Sequence, residues 1–460
     1  MKSNKISFII FIALTIFFAG ACKKSFFTDV NVNPNVPTDV APNLILTTSE
    51  AALGYTQGGD LSRFTSLITQ QVFGANSQSQ SYYAYGLNPG VFDNLWPDLY
   101  TSTIINIDTL KNLSDQKEYN VYAGVSRILM AYTLQITVDC WGKIPYSQAV
   151  KGDGNYHPVF DDDKALYDTI ASLVDVGINR LSDSHRGVFT PGADDGIYGG
   201  DALKWIKFGH AIKARLYIHQ SKGNAAMATK ALAEVALAFT DNAESAQYKF
   251  GLAETAANPW YQFNRDRPGD ETFSNSTLAM QLQTLNDPRY DVFIDPVNDG
   301  LGQSADGSHF GGLNKYYGAV NSPVELITYD ELLFISAEAT LRSTGDYAAA
   351  QNFYDEAIRA NMEKLGIGES AIEAYISAQG ALPATSINEA ITKVATQEFI
   401  ALYLNPEAWV VWRRSGSPAL SPTGPGDVPR RLVYPQSEYS YNAANTPPST
   451  LYAPKVFWDN

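Results

Sequence analysis

The chain has 460 residues, 45% hydrophobic and 18% charged, a balance that excludes intrinsic disorder and admits a large core or two to three domains. Its net charge of −15, with no basic run, excludes a nucleic-acid binder, because nothing neutralises a row of phosphates. Aromatic residues reach 12%, and such side chains either fill cores or line surfaces that take flat ligands.

At the N-terminus Lys2 and Lys5 precede the apolar run Ile6–Phe18, which leads into Ala19-Gly20-Ala21-Cys22. This is the plan of a bacterial export signal ending in a cysteine, and it predicts a lipoprotein signal over residues 1–21 with lipidation at Cys22. Only Cys140 then remains, so no disulfide forms within the chain and no cysteine zinc cluster can be built. Residues 22–43 read as anchor and tether, since Pro34, Pro37 and Pro42 forbid continuous helix. Residues 44–460 read as one domain.

A helical pattern covers Leu44–Phe73, followed by a polar loop, Gly74–Asn88, that carries Tyr82, Tyr83 and Tyr85. Apolar residues then recur at helical spacing in pairs of segments, predicting hairpins over about 96–138, 163–220, 329–362 and 386–414. The third is the most telling. Its Gly345-Asp346-Tyr347 turn precedes Ala350, Tyr354 and Ala357, one helical face on which two small residues admit a partner helix, as in a tetratricopeptide unit. The fourth opens with Ser386 and Glu389 in capping-box spacing. Between the second and third hairpins, after Ala225–Phe239, the stretch Asp241–Pro323 is loop-rich, with one convincing helix at Ser276–Leu285. The tail beyond Gly416 is proline-rich and irregular. Strands and helices do not alternate, so the expected class is mostly α, a scaffold of four tetratricopeptide-like hairpins with a loop-rich remainder.

The residues carry no strong catalytic signal. The five histidines form no His-Glu-x-x-His arrangement, no Gly-x-Ser-x-Gly elbow is present, and a glycosidase carboxylate pair can be neither found nor excluded among 48 acids. Asp161-Asp162-Asp163 suits a helix start, Asp201 a helix cap and Trp141 a hairpin anchor. Asp299 and Asp306 are compatible with calcium but lack the spacing of an EF-hand, and Arg413-Arg414 and Arg430-Arg431 read as solvated or paired charges. Binding is better served. Flat aromatic faces beside amides and acids suit a sugar ring and its hydroxyls. The first candidate is Asn258–Asp266, with Trp260, Tyr261, Asn264 and Asp266; Asn258-Pro259 favours extended or turned backbone, so at least one of the two rings should be exposed. Tyr82, Tyr83 and Tyr85, and Tyr316 and Tyr317, come next, with burial in loop packing as the competing reading for each.

Several motifs in fixed order carry a family resemblance. They are Asn31-x-Asn33-Pro34-Asn35; Asp139-Cys140-Trp141-Gly142 with Pro145-Tyr146 and Ala149; Tyr198-Gly199-Gly200-Asp201 with Trp205 and Phe208; Asp287-Pro288-Arg289; Ala337-Glu338-Ala339; Trp412-Arg413-Arg414; and Pro429-Arg430-Arg431 with Tyr434-Pro435, Glu438 and Asn442. Together they resemble the SusD/RagB-like outer-membrane nutrient-binding lipoproteins of Bacteroidota, in particular the second SusD-like branch. Gly209-His210-Ala211 stands where that family usually has Asn-Ser-Leu, and Lys23-Lys24 where it often has acids. The resemblance implies a SusD-like fold and a protein without catalysis or cofactor, lipid-anchored in the outer membrane and facing the exterior. It further implies a partner, a SusC-like TonB-dependent β-barrel transporter, to which the protein passes an oligosaccharide. The alternatives are a peptide ligand, as in some members, and, less favoured, a surface glycoside hydrolase.

Overall fold

Side-chain caps start the long helices where the sequence places them. Asp162 accepts from the N–H groups of Lys164 and Ala165, Asp201 from Leu203 and Lys204, Asp346 from Ala348 and Ala349, and Ser386 from Glu389, which satisfies backbone donors that no helical turn can reach. The computed structural model describes residues 40–459; the export signal, Cys22 and most of the tether lie outside them.

Helix α1 (Pro42–Thr56) continues through a π-helical turn, Gln57–Leu61, into α2 (Ser62–Ile68), and a short helix α3 (Ser77–Tyr83) follows. The expected loop over Gly74–Asn88 is thus partly helical. A second π-helical segment, Asp98–Ile104, leads into α4 (Ile105–Gln116) and its hairpin partner α5 (Asn120–Trp141). The second hairpin is α6 (Asp163–Ser182) with α7 (Ala202–His219), and α8 (Ala225–Val235) packs beside α7. After α9 (Pro259–Asp266) and α10 (Thr277–Thr284), the short α11 (Lys315–Gly318) precedes the third hairpin, α12 (Tyr329–Ser343) with α13 (Tyr347–Lys364). Helix α14 (Glu369–Gln379) leads to the fourth, α15 (Ile387–Ala401) with α16 (Glu407–Ser415). The region between the second and third hairpins therefore holds more helix than its composition suggested. Strands are few and short: β1 (Phe73–Gly74) pairs antiparallel with β3 (Glu271–Thr272), and β2 (Ala246–Tyr248) with β4 (Val324–Ile327).

The hairpins stack through small residues. α5 and α6 cross closely, where a Cβ on Gly124 would lie 2.9 Å from the Gly177 carbonyl oxygen and one on Gly177 would lie 3.1 Å from that of Gly124. Any larger residue would push the two backbones apart. In the third hairpin Ala350, Tyr354 and Ala357 are fully buried, as their spacing predicts.

Arg413 and Arg414 of α16 and Arg430 and Arg431 of the tail are paired or packed rather than solvated. Arg414 is buried against Glu338 (2.9 Å) and Glu398 (3.5 Å), and Arg413 is sandwiched between the rings of Trp409 (4.1 Å) and Trp458 (4.7 Å). Arg430 pairs with buried Asp459, while Arg431 donates to the backbone carbonyls of Trp141 (2.5 Å) and Pro454 (3.1 Å). Trp141 in turn donates its indole N–H to the Val433 carbonyl. Beside this lattice, His219 Nε2 lies 2.7 Å from Glu407 Oε1, and its Nδ1 lies 2.9 Å from the Tyr167 hydroxyl and 3.6 Å from Asp139. Burial alone would lower the His219 pKa, but Glu407 and Asp139 outweigh it and raise it to about 9. The imidazole is therefore a cation at neutral pH, gripped from both sides, and Trp458 of the tail closes over it while donating its N–H to Asp139. Hydrogen bonds of Arg431 and Val433 with Trp141, of Trp458 with Asp139 and of Arg430 with the Arg413 carbonyl fasten the irregular tail to the first and fourth hairpins.

Candidate ligand-binding surface

The segment with the strongest sequence signal is packed inward. Asn258 caps α9, accepting from the N–H groups of Trp260 (2.8 Å) and Tyr261 (3.3 Å), and Pro259 occupies the first helical position. The restriction before proline acts on Asn258, whose backbone is extended, and leaves Trp260 and Tyr261 free to be helical. Both rings are buried, at 3% and 7% exposure, which corrects the expectation that one would face solvent. Trp260 donates its indole N–H to Ser62 Oγ (3.0 Å), and Ser62 donates to the Leu404 carbonyl. The indole also meets Phe273 edge-on at 5.9 Å. Tyr261 donates to Glu254 and packs edge-on against Phe310.

The other candidates divide. Asn264 is buried, and Asp266 is exposed and paired with Arg265. Tyr85 is buried, its hydroxyl accepting from the Thr423 N–H. Tyr317 is buried between Phe293 and Tyr403, and Tyr316 is half-buried with its hydroxyl on Glu325. Tyr82 and Tyr83 are half-buried. Trp260 and Tyr317 do come together, lining with Gln57, Glu325 and Asn405 a cavity of about 30 Å³. That volume suits a water and is far below the roughly 300 Å³ at which small-molecule sites begin.

The half-exposed aromatic surface lies on the outer side of α9, and its central residue, Arg63, gave no signal in the sequence. The Arg63 guanidinium lies 3.6 Å over the Phe263 ring, with Nη1 on Asp60 (3.0 Å), Nε on Glu271 (3.1 Å) and Nη2 on Ser79 Oγ (3.3 Å). Glu271 is buried in β3, where burial raises its pKa and Arg63 lowers it; the carboxylate fixes the guanidinium from beneath. Tyr82 packs edge-on against Phe64 at 5.3 Å, within the fields of Arg63, Asp60 and Arg267. Burial holds its hydroxyl above the usual phenol range, so it stays a donor at neutral pH. Asp98 is exposed, its carboxyl raised by partial burial and by Asp60. Asp60 lies in one π-helical turn, where Gly59 departs from helical angles (φ −91°, ψ −119°), and Asp98 begins the other. Such turns recur at functional sites because they re-aim side chains out of the regular helical row. The result is a cluster of two half-buried rings, a fixed cation and two acids, residue types that can pack on a sugar ring and bond its hydroxyls.

Metal ligation has weaker support. Asp139, His219 and Glu407 offer donor atoms within 4.8 Å of one another, but the two imidazole nitrogens point to different partners, the arrangement of an ion pair. Asp299 accepts from the N–H groups of Phe273 and Ser274, and Asp306 from the Ser304 hydroxyl and the Ser308 N–H; these loop carboxylates are engaged by the protein itself.

Residues 34–435 match the model of a family described as SusD-like, starch-binding associating with outer membrane. None of the curated proteins compared with the chain matches it. Among solved structures it is similar to a SusD/RagB family protein from Bacteroides thetaiotaomicron, with 22% identity, TM-score 0.73, and 92% of this chain and 99% of that one covered. A chitin-binding protein is similar at 23% identity and TM-score 0.75, covering 91% and 100%. A chitin-binding SusD homolog from Flavobacterium johnsoniae is similar at 20% identity and TM-score 0.72, covering 91% and 97%. With its helical hairpins, its fold and a family match that spans most of its length, the chain belongs to the SusD-like family.

Proposed function

We propose that this protein is a lipid-anchored, non-catalytic receptor that captures an oligosaccharide at the outer membrane and passes it to a TonB-dependent β-barrel transporter of the SusC type. The observation that carries the reading is the surface of Arg63, Phe263 and Tyr82 flanked by Asp60 and Asp98. The family description, starch-binding associating with outer membrane, and the chitin-binding names of two structural relatives support a glycan as the ligand. Tyr82, Tyr83, Phe263 and Asp266 take the ligand-facing role on α3 and α9, and buried Trp260, Tyr261, Asn264, Tyr85 and Tyr317, with half-buried Tyr316 on Glu325, serve the packing. Cys22 supplies the anchor, with the folded unit on the exterior side. A glycan array on the full chain tests the ligand class: binding to α-glucan or chitin oligomers is expected, and binding to peptides alone would replace the reading. Mild cross-linking of native membranes tests the partner, and recovery of free monomer alone would remove the transporter from it.

A further inference from the structure

The irregular tail builds a groove that shares no lining residue with the Arg63 surface. It measures about 420 Å³ and is lined by Trp412, Leu420, Asp427, Arg430, Tyr452 and Lys455 among others, a volume within the range of roughly 300–1,000 Å³ typical of small-molecule sites. Its walls are held in place. The Arg430 guanidinium covers the Trp412 ring at 5.1 Å, is bound by Asp459 and donates to the Arg413 carbonyl, so its charge is already balanced. Tyr452 donates its hydroxyl to the Pro425 carbonyl (2.8 Å), fixing that ring against the loop that closes the groove.

Two charged side chains at this groove are unused. Asp427 and Lys455 are both exposed, and among the described residues neither makes a hydrogen bond or an ion pair. One is an acceptor of two hydroxyls and the other a triple donor, and their charges cancel. A phosphate or a uronate would meet Asp427 as a like charge on a chain already at −15, whereas a neutral polyhydroxy ligand can use both groups at once. Leu420, Pro422, Val428 and Tyr452 offer apolar contact for its C–H faces.

We infer that this groove is a second binding site for a neutral oligosaccharide, distinct from the Arg63 surface. The class of ligand rests on the glycan reading above; the existence of the site rests on the groove. The loop that closes it is also bonded to the Tyr82 helix: the Thr423 N–H donates to the Tyr85 hydroxyl, and the Thr423 hydroxyl to the Tyr83 carbonyl. The two sites therefore flank one connecting element.

The test uses the full chain in a detergent without sugar headgroups, labelled with 5-fluorotryptophan, with maltohexaose and chitohexaose as probes. The Trp412 resonance is assigned with Trp412→Phe. The expected result is a saturable shift of that resonance with one of the probes. Asp427→Ala with Lys455→Ala, both at exposed positions, should raise the half-saturation concentration at least tenfold, and Arg63→Ala should leave it within twofold. Calorimetric binding heat that Arg63→Ala abolishes, together with a Trp412 resonance that never moves, would overturn the second site and leave the glycan reading standing. No heat and no shift with either probe would overturn both. A Trp412 shift unaffected by the double variant would also overturn the assignment of the groove.

Discussion

Replacing Trp260 by Ala should destabilise the fold, and the structure says by how much. The indole is almost completely buried, meets Phe273 edge-on and donates to Ser62, which links α2 to the Leu404 carbonyl. Truncation of a buried Trp to Ala costs about 3–5 kcal/mol through lost transfer energy and the cavity left behind. Trp260→Phe keeps most of the ring and forfeits the bond to Ser62, worth about 1 kcal/mol. Against a net stability of roughly 5–15 kcal/mol, the first change is a large fraction and the second a modest one. Denaturant titration of the two variants beside the wild type measures the difference: the midpoint should fall steeply for Ala, slightly for Phe, with the slope unchanged. A Trp260→Ala protein that melts like the wild type but loses glycan affinity would refute the reasoning and return the indole to the ligand face.

Ala350→Arg should cost about 3 kcal/mol or more, since the site is fully buried between the helices of the third hairpin and must take both extra volume and a stranded charge; an unchanged melting temperature would mean the hairpin is not packed as described. His219 has a folded pKa of about 9 against 6.5 unfolded, so the folded state holds the extra proton between those values. Its contribution is whole below pH 6.5 and is lost as pH rises through 9, and the stability difference between wild type and His219→Leu should shrink over that window; a difference that grows with pH would reverse the charge assignment. Cys22→Ala should release the protein from membranes of cells lacking the transporter, because stable attachment needs more than one acyl chain; continued fractionation with the outer membrane would contradict the lipoprotein reading.

The hairpins were legible because they are local. Gly345 adopts a left-handed conformation (φ 69°) just before the Asp346 cap, and the Ala350, Tyr354 and Ala357 face follows within a dozen residues. Helix α3 was missed for the opposite reason. Its sequence, SQSQSYY, has no apolar period, Ser79 is its one buried residue, and bonds to the distant residue Thr423 hold the turn that follows it. Trp260 was misjudged because a loop-like composition conceals whether a ring has a cavity waiting for it. That cavity is made by Ser62 and Phe273, and Ser62 is far away in the chain. For Arg413 and Arg414 the sequence leaves solvation and pairing both open, since the charge of Glu338 and the ring of Trp458 reach them only after folding. The candidate surface takes Arg63, Tyr82, Asp98 and Phe263 from separate segments, and no spacing rule connects them. Tyr82 and Asn258–Asp266 carry a sequence signal of their own, and the arginine between them carries none.

Arg63 is therefore the residue on which the account turns, and calorimetric titration of Arg63→Ala with the oligosaccharide that the wild type binds tests it most directly. The Arg63 side chain is 12% exposed and pairs with the buried carboxylate of Glu271, so its removal should lower the melting temperature while the fold still melts as a single cooperative unit. Loss of its hydrogen bonds, and of the ordered Phe263 ring beneath it, should weaken binding about tenfold, the equivalent of 1.4 kcal/mol. Wild-type affinity in a well-folded Arg63→Ala protein would contradict the account and place the glycan elsewhere on the molecule.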